Sequence, residues 1–405
     1  MKQKVVVIGH GFTSRLGVIR SIAVLDCEII VIVMTDFKKD GKSLNTSKPI
    51  DCYSKYVNTI YYCYKKDETG LIRLLLDKCR DQERKVVIIP DSDFSASAID
   101  KNLDILKDAF VFPHIHHTQG EVTKWMDKER QKELARTVGL PVAGARVVEV
   151  VGGKYELPSD VVYPCFPKPL ATLMGDKYMK RCDNEVELRA VIEYLGKHRD
   201  NKVLVEDFKC IEEEYALLGF SDGTEVIIPG IIHFLKPSKS HFGLAMQGEI
   251  LSNEGFEAVL EKFKVFVKRI GYVGVFDIDF FRSDGMLFFG EINLRIGGSG
   301  YAVTKMGVNL PAMMIHYLSG EKYEDLPHTL HPETRAIFVN ERMCIDDWYQ
   351  GYMTTKECRR MIDLSEISFV RDKIDPMPQQ ALERNMVRLS FRRIIRKFVY
   401  SLYKQ

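Results

Sequence analysis

No stretch of the chain approaches the ~18 consecutive apolar residues that a membrane span needs, and the opening MKQKVVVIGHGF holds too short an apolar run for a secretory signal. Cysteine pairing motifs are missing as well. The nine cysteines are odd in number and dispersed, with no C-x-x-C, which argues against a disulfide frame and against structural zinc. Free thiols suit a reducing compartment, so the expected location is the cytoplasm, including its membrane face. A strong charge bias is also lacking: 58 basic against 56 acidic residues give a formal +2, which offers no electrostatic footprint for nucleic acid. The clearest local imbalance is Leu382 to Gln405, with seven Arg or Lys and one Glu, a net of +6 that leaves the remainder at −4. No internal repeat is visible.

What is present is the composition of an ordinary globular chain, 45% apolar and 28% charged over 405 residues, enough for two to three domains or one multi-lobed enzyme. Its most patterned stretch is Val273 to Gly300, VGVFDIDFFRSDGMLFFGEINLRIGGSG. Two apolar runs flank Ser283-Asp284-Gly285, which reads as a hairpin because Asp-Gly supplies turn chemistry and aromatic and β-branched residues suit a pleat. Asp277 and Asp279 are two apart and share one face; Glu291 and Asn293 repeat that relation on the second strand. Three carboxylates and an amide can converge there. Oxygen ligands without His or Cys suit Mg²⁺ or Mn²⁺ among phosphates; the alternative is scattered charge on a solvent-facing strand. Arg295 faces the same side and has two roles open to it, clamping a carboxylate or tetrahedral intermediate, or a salt bridge to Asp277 or Glu291. Gly297 to Gly300 either binds an anion at the start of the Thr304–Leu318 helix or is a plain turn.

Upstream, Val5–Ile8, a glycine turn, a helix from Arg15 to Leu25 and Ile29–Met34 form the opening of a doubly wound parallel sheet. A full G-x-G-x-x-G is not there, so the turn is read as that of a βαβ unit rather than a dinucleotide site. Val86–Ile89 is a third strand ending in Asp91 and Asp93, acids that can hold an amine substrate or cap the next helix. A helix follows from Glu121 to Val138, stopped by Gly139 before Pro141. Then come a strand from Ala145, the Phe166-Pro-Lys168-Pro segment, the loop Leu170–Lys177, a helix from Asn184 and a strand at Val203–Val205. Lys236 to His241 reads as a flexible loop. Near the end, Val387, Phe391, Ile394, Ile395, Phe398 and Leu402 share one helical face and Arg388, Arg392, Arg393, Arg396 and Lys397 the other. That helix is suited to an anionic membrane surface, to a partner, or to packing on its own chain.

In this order the features resemble the ATP-grasp superfamily, and within it the carboxylate-amine ligases, over roughly Val5 to Gly320. The finer likeness is to D-aspartate ligase-like and carbamoyl-phosphate-synthase-like single-chain proteins. Asp279, with Glu291 twelve residues on and then Asn293 and Arg295 in E-I-N-L-R, is similar to the superfamily's metal-binding strand. Asp127-Lys128 and Lys168 look like its phosphate lysines, Val205-Glu206-Asp207-Phe208 like the hinge that meets adenine, and Glu214 like the residue facing ribose. One departure is that Leu170–Lys177 has a single glycine, Gly175, where such a loop is commonly glycine-rich, leaving Thr172 and Lys177 to substitute with side chains.

The resemblance implies an α/β fold of four parts: a Rossmann-like lobe over 1–116, a small ATP lobe over 117–205, a larger antiparallel lobe with the metal site over 206–330, and an extension over 331–405 with the basic helix. It implies an enzyme that uses ATP and Mg²⁺, or Mn²⁺, to couple a small carboxylate, an amino acid or cell-envelope precursor, to an amine. In that reading Asp279, Glu291 and Asn293 hold the metal. Lys128, Lys168, Thr172, Lys177, Glu206, Phe208 and Glu214 hold the nucleotide, and Arg295 and Lys168 act in catalysis. A kinase or carboxylase-type activity, or a non-catalytic nucleotide-binding regulator, are the rival readings, and a homodimer is an open assembly.

Overall fold

The computed structural model describes residues 2–10, 13–38, 42–169, 180–198, 201–241 and 244–402. The first lobe is a parallel sheet of β1 (Lys4–Gly9), β2 (Glu28–Thr35), β3 (Val57–Tyr64), β4 (Val86–Pro90) and β5 (Phe110–Val111) in the order β3-β2-β1-β4-β5. Continuous apolar runs such as Val5–Ile8 and Val86–Ile89 are buried from both sides, as parallel strands require. Helices α1 (Thr13–Ile22), α2 (Glu68–Leu74), α3 (Asp93–Lys101) and α4 (Leu103–Leu106) flank it. Ser92, rather than either neighbouring acid, caps α3 through a reciprocal bond pattern with Ser95. Strand β6 (His114–Ile115) leaves this lobe to pair with the third lobe.

The stretch expected as one helix from Glu121 to Val138 is two: α5 (Glu121–Lys124) and α6 (Lys128–Thr137), because Asp127 turns its side chain onto the N–H groups of Glu129 and Arg130 and starts α6 afresh. The second lobe is a sheet of β7 (Ala145–Glu149), β8 (Cys165–Pro169) and β9 (Lys202–Asp207), with β9 central and antiparallel to both neighbours. Helix α7 (Glu185–His198) covers it, and Val148, Leu188, Ile192, Val203 and Val205 form a core of its own.

Among the described residues the third lobe is a nine-stranded sheet with main path β15-β14-β10-β12-β13-β16-β17. Its strands are β10 (Glu213–Asp222), β11 (Val226–Ile227), β12 (Ile231–Pro237), β13 (Ala245–Leu251), β14 (Tyr272–Ser283), β15 (Met286–Asn293), β16 (Arg335–Val339) and β17 (Ile367–Ser368). Helices α8 (Glu257–Ile270), α9 (Gly300–Lys305), α10 (Leu310–Leu318), α11 (Glu341–Gln350), α12 (Thr355–Asp363) and α13 (Met377–Leu402) complete the chain. Phe263, Phe266 and Val267 of α8 pack under Phe276, Ile278 and Phe280 on one face. The other face shares a single core with the first lobe, where Val5, Val7 and Ile19 meet Leu218, Phe220, Ile250 and Phe338.

Two boundaries move from the sequence expectation. Strands β16 and β17, assigned to a separate extension, complete the large sheet, since β13 has a free edge that β16 covers. The segment Thr304–Leu318 breaks after Lys305, and Asn309 caps α10 anew. The Lys236–His241 loop is not free either. Asp347 of α11, 1% exposed, accepts from Ser238 Oγ at 2.9 Å and from the N–H groups of Lys239 and Ser240 at 2.8 Å each, and Asp346 holds His241 at 3.0 Å. The first turns of α13 pack on the body through Ala381, Leu382, Met386 and Leu389, while Val387 is 58% exposed; the side chains of Phe391, Ile394, Ile395, Phe398 and Leu402 lie outside the described set. No helix among the described residues is long and apolar enough to cross a membrane.

Candidate functional site

The two-residue turn Asp284-Gly285, with φ of 50° and 72°, closes the β14–β15 hairpin and fixes its register. That register sets three rows of side chains on the face turned toward the first lobe. Asp277 stands opposite Asn293, Asp279 opposite Glu291, and Phe281 opposite Phe288; on the other side of β14, Leu218, Ala216 and Glu214 extend the same rows. Successive rows are ~7 Å apart, two residues along a strand. The face therefore passes over roughly 14 Å from an aromatic row to an acidic one, because an irregularity at Gly290 keeps both sets on one side.

The four polar residues of the hairpin are thus together. Asn293 Nδ2 donates to Asp279 Oδ2 at 3.4 Å, and Lys128 Nζ lies 2.6 Å from Glu291 Oε2. Burial, with Asp277 and Glu291 beside it, holds the Asp279 carboxyl well above the usual carboxylate range. Burial acts on Glu291 in the same sense, but Lys128 and Lys168 outweigh it and bring that carboxyl down to about 2. Among the described residues no three His, Cys, Asp or Glu side chains converge to hold a metal. The candidate set is instead two carboxylates and an amide, oxygen donors facing one another across the hairpin, a donor chemistry that fits a hard divalent ion.

Arg295 corrects one expectation. Its Nε donates to Asp93 Oδ1 of the first lobe at 2.6 Å and its Nη2 to Asn293 Oδ1 at 3.4 Å, so its salt bridge is to neither Asp277 nor Glu291. Sequence could not supply that partner, which is 202 positions away.

Lys168 on β8 reaches Glu206 on β9 at 2.8 Å, and Lys132 of α6 pairs with the same carboxylate. Glu206, expected in the hinge whose backbone meets adenine, turns its side chain to two lysines. They hold its carboxyl below the usual range against the opposing effect of burial. Burial, and the neighbouring charge of Lys168, pull Lys132 down although Glu206 opposes them. Phe208, at the end of β9, donates its N–H to Pro164 O at 3.0 Å, and its ring lies 4.8 Å from the Arg181 guanidinium. Glu214 is half-buried, which raises its carboxyl. Thr172 and Lys177 lie outside the described residues.

Five residues that sequence reading passed over belong here. Lys132 is one helical turn from Lys128, a spacing that places both on one face of α6. Phe281 and Phe288 stack with centroids 5.5 Å apart, and Lys209 lies 5.1 Å from the Phe288 ring, which links this aromatic row to the end of β9. Gln131 gives Nε2 to Ile292 O at 3.0 Å and to Trp125 O at 2.8 Å and accepts from Ile292 N–H at 3.1 Å, so that α6 grips the edge strand between Glu291 and Asn293.

The architecture matches solved structures. An N5-carboxyaminoimidazole synthetase from Staphylococcus aureus complexed with ADP superposes with a TM-score of 0.60, over 83% of this chain and 82% of that one, at 16% identity. The chain has the ATP-grasp fold. An L-amino acid ligase from Bacillus licheniformis shares it, with a TM-score of 0.60 over 83% of this chain and 79% of that one, at 15% identity. In sequence, the carbamoyl phosphate synthase large chain of Gemmatimonas aurantiaca is 24% identical over 220 residues, 53% of this chain and 20% of that one. This chain thus spans about a fifth of the length of that relative. No family model matches it.

Proposed function

We propose that this chain is an ATP-dependent ligase that activates a small carboxylate as an acyl phosphate and couples it to an amine, releasing ADP and phosphate. The observation that carries the reading is the row order on one sheet face: stacked aromatics, then Asp279 opposite Glu291, then Asn293 and Arg295. A nucleoside triphosphate laid along it places its base against Phe281 and Phe288, its ribose hydroxyls near the Glu214 acceptor and its phosphates over the acids. The relatives' printed activities, amino-acid ligation among them, support the class.

Asp279, Glu291 and Asn293 are the residues we assign to Mg²⁺, with Mn²⁺ an equivalent hard cation; the bound ion supplies charge neutralisation at the phosphates. Lys128 would offer its ammonium to a phosphoryl oxygen, and Lys168, steadied by Glu206, would offer a second. The Arg295 guanidinium, held in plane by Asp93 and Asn293, can clamp a carboxylate or stabilise the oxyanion that forms when the amine attacks. Thr172 and Lys177 are assigned to the phosphates by the resemblance alone. Contact of the basic end of α13 with an anionic membrane surface, and a homodimer, remain part of the proposal. So does a cytoplasmic setting.

The test is phosphate release from ATP and Mg²⁺ across panels of carboxylates and amines. Turnover that requires both substrates supports the ligase, and turnover with bicarbonate or with one acceptor alone supports a carboxylase or kinase. Nucleotide binding without turnover supports the regulator. Glu291→Ala is expected to abolish turnover, and full activity in that variant refutes the site.

A further inference from the structure

We propose that Cys165 and Cys182 form a reversible modification site, a thiol pair that low-molecular-weight disulfides convert to an intramolecular disulfide. The pair lies in the small lobe, on the strand that also carries Lys168.

Cys165 opens β8, the edge strand of the small-lobe sheet. Among the described residues its outer side is paired at one position, by Cys182, in an isolated antiparallel bridge. Each residue donates its N–H to the other's carbonyl, at 2.9 Å from Cys165 and 2.8 Å from Cys182. The two are thus a directly opposed, hydrogen-bonded pair, for which Cα atoms stand ~5.5 Å apart and both side chains leave on one face. That separation lies inside the ~4.4–6.8 Å that a disulfide spans. Both side chains enter one core with Val148, Leu188 and Val205, and the Cys165 thiol is within hydrogen-bonding reach of the Cys182 sulfur. Both thiols are free.

A structural metal needs more ligands than two thiols, and among the described residues no third His, Cys, Asp or Glu joins them. While covered, the pair is unreactive: burial raises both thiols, Cys165 to about 11. Access comes from Cys182. Its neighbours Arg181 and Asp183 are exposed, and its thiol donates to Lys180 O of its own segment at 3.7 Å. Beyond the two backbone bonds to Cys165, that segment is held by the Asp183 N–H to Glu187 at 3.0 Å and by Arg181 against the Phe208 ring. Opening there breaks few bonds, so Cys182 is the thiol that reaches solvent, whereas Cys165 is held in addition by β9. Exchange then runs in two steps. The Cys182 thiolate attacks one sulfur of the small disulfide, forms a mixed disulfide and expels one thiolate. Cys165, once deprotonated, attacks the Cys182 sulfur, closes the Cys165–Cys182 bond and expels the second. Two protein thiols are oxidised, and the small disulfide is reduced to two thiols that carry away the two protons.

The test incubates the folded full chain with glutathione disulfide, blocks the remaining thiols with iodoacetamide and maps the cysteine peptides by mass spectrometry. The native chain should yield a linked peptide pair joining Cys165 to Cys182, lighter by two hydrogens than the sum of its parts, and dithiothreitol should abolish it. In Cys165→Ser, Cys182 should stop as a glutathione mixed disulfide. In Cys182→Ser, modification of Cys165 should be slower than that by about tenfold or more, the scale of the additional backbone bonds that must open. If either variant fails to fold, the native map decides by itself. Cys210 is exposed, so its modification shows that the reagent is active. A modified Cys210 with no Cys165–Cys182 link in the native chain overturns the proposal. Equal linkage among Cys63, Cys79, Cys344 and Cys358, all buried, also overturns it, because exchange then follows global unfolding rather than opening at Cys182.

Discussion

Replacing Gln131 with Met tests whether the grip of α6 on β15 holds the acidic row in place. Methionine keeps the length and much of the volume but removes the amide, so three backbone groups lose a partner: Trp125 O, Ile292 O and Ile292 N–H. Ile292 is 3% exposed and Gln131 2%, so water cannot readily replace the bonds. An orphaned buried polar group costs ~1–3 kcal/mol, and partial relaxation puts the sum for this site at about 2–4 kcal/mol. At about 1 °C per kcal/mol for a chain of this length, Tm should fall by roughly 2–5 °C. Because Glu291 and Asn293 flank Ile292, the same change should weaken Mg²⁺-dependent nucleotide binding by about tenfold, and titration calorimetry with and without Mg²⁺ separates the two effects. Stability within ~0.5 kcal/mol of native, together with an unchanged Mg²⁺ dependence, would refute the reasoning.

Lys132→Met should raise the KM for ATP several-fold with a smaller change in kcat, since Glu206 then draws Lys168 toward itself alone; steady-state kinetics with ATP varied checks it, and an unaltered KM argues that Lys132 is only a packing residue. The metal-free chain should lose stability as pH rises toward and past 7. Burial raises Asp277 to about 7 and Asp279 well above its ordinary value, so their contribution is complete below the unfolded carboxylate range near 4 and is lost as pH rises through the folded values. Glu291, held down to about 2, changes only in acid and with the opposite sign. Melting curves at pH 5.5 and 8 should therefore show a larger stabilisation by Mg²⁺ with ADP at pH 8, and equal shifts at both would contradict this account.

The limits of sequence reading fall at identifiable places. The hairpin was legible because period-two alternation and Asp-Gly chemistry are local. A one-residue slip in register would have turned every acid to the opposite face. The break at Asp127 was not read, since an internal N-cap looks like any other acid within a charged helix. The hold of Asp347 on Ser238 to Ser240 was invisible for a different reason: it joins segments more than a hundred residues apart, and nothing in either marks the other.

By itself, the sequence determined which residues share a strand face, where the chain turns, and the oxygen-only chemistry of Asp279, Glu291 and Asn293. These follow from backbone periodicity and side-chain type, which act over a few residues. Tertiary structure alone decided which charges neutralise one another. It gave Arg295 to Asp93, Glu206 to Lys132 and Lys168, and Lys128 to Glu291, and it left the buried Asp277 Oδ1 without a hydrogen-bond partner. Electrostatic pairing depends on distance and burial across lobes, and neither quantity is written along the chain.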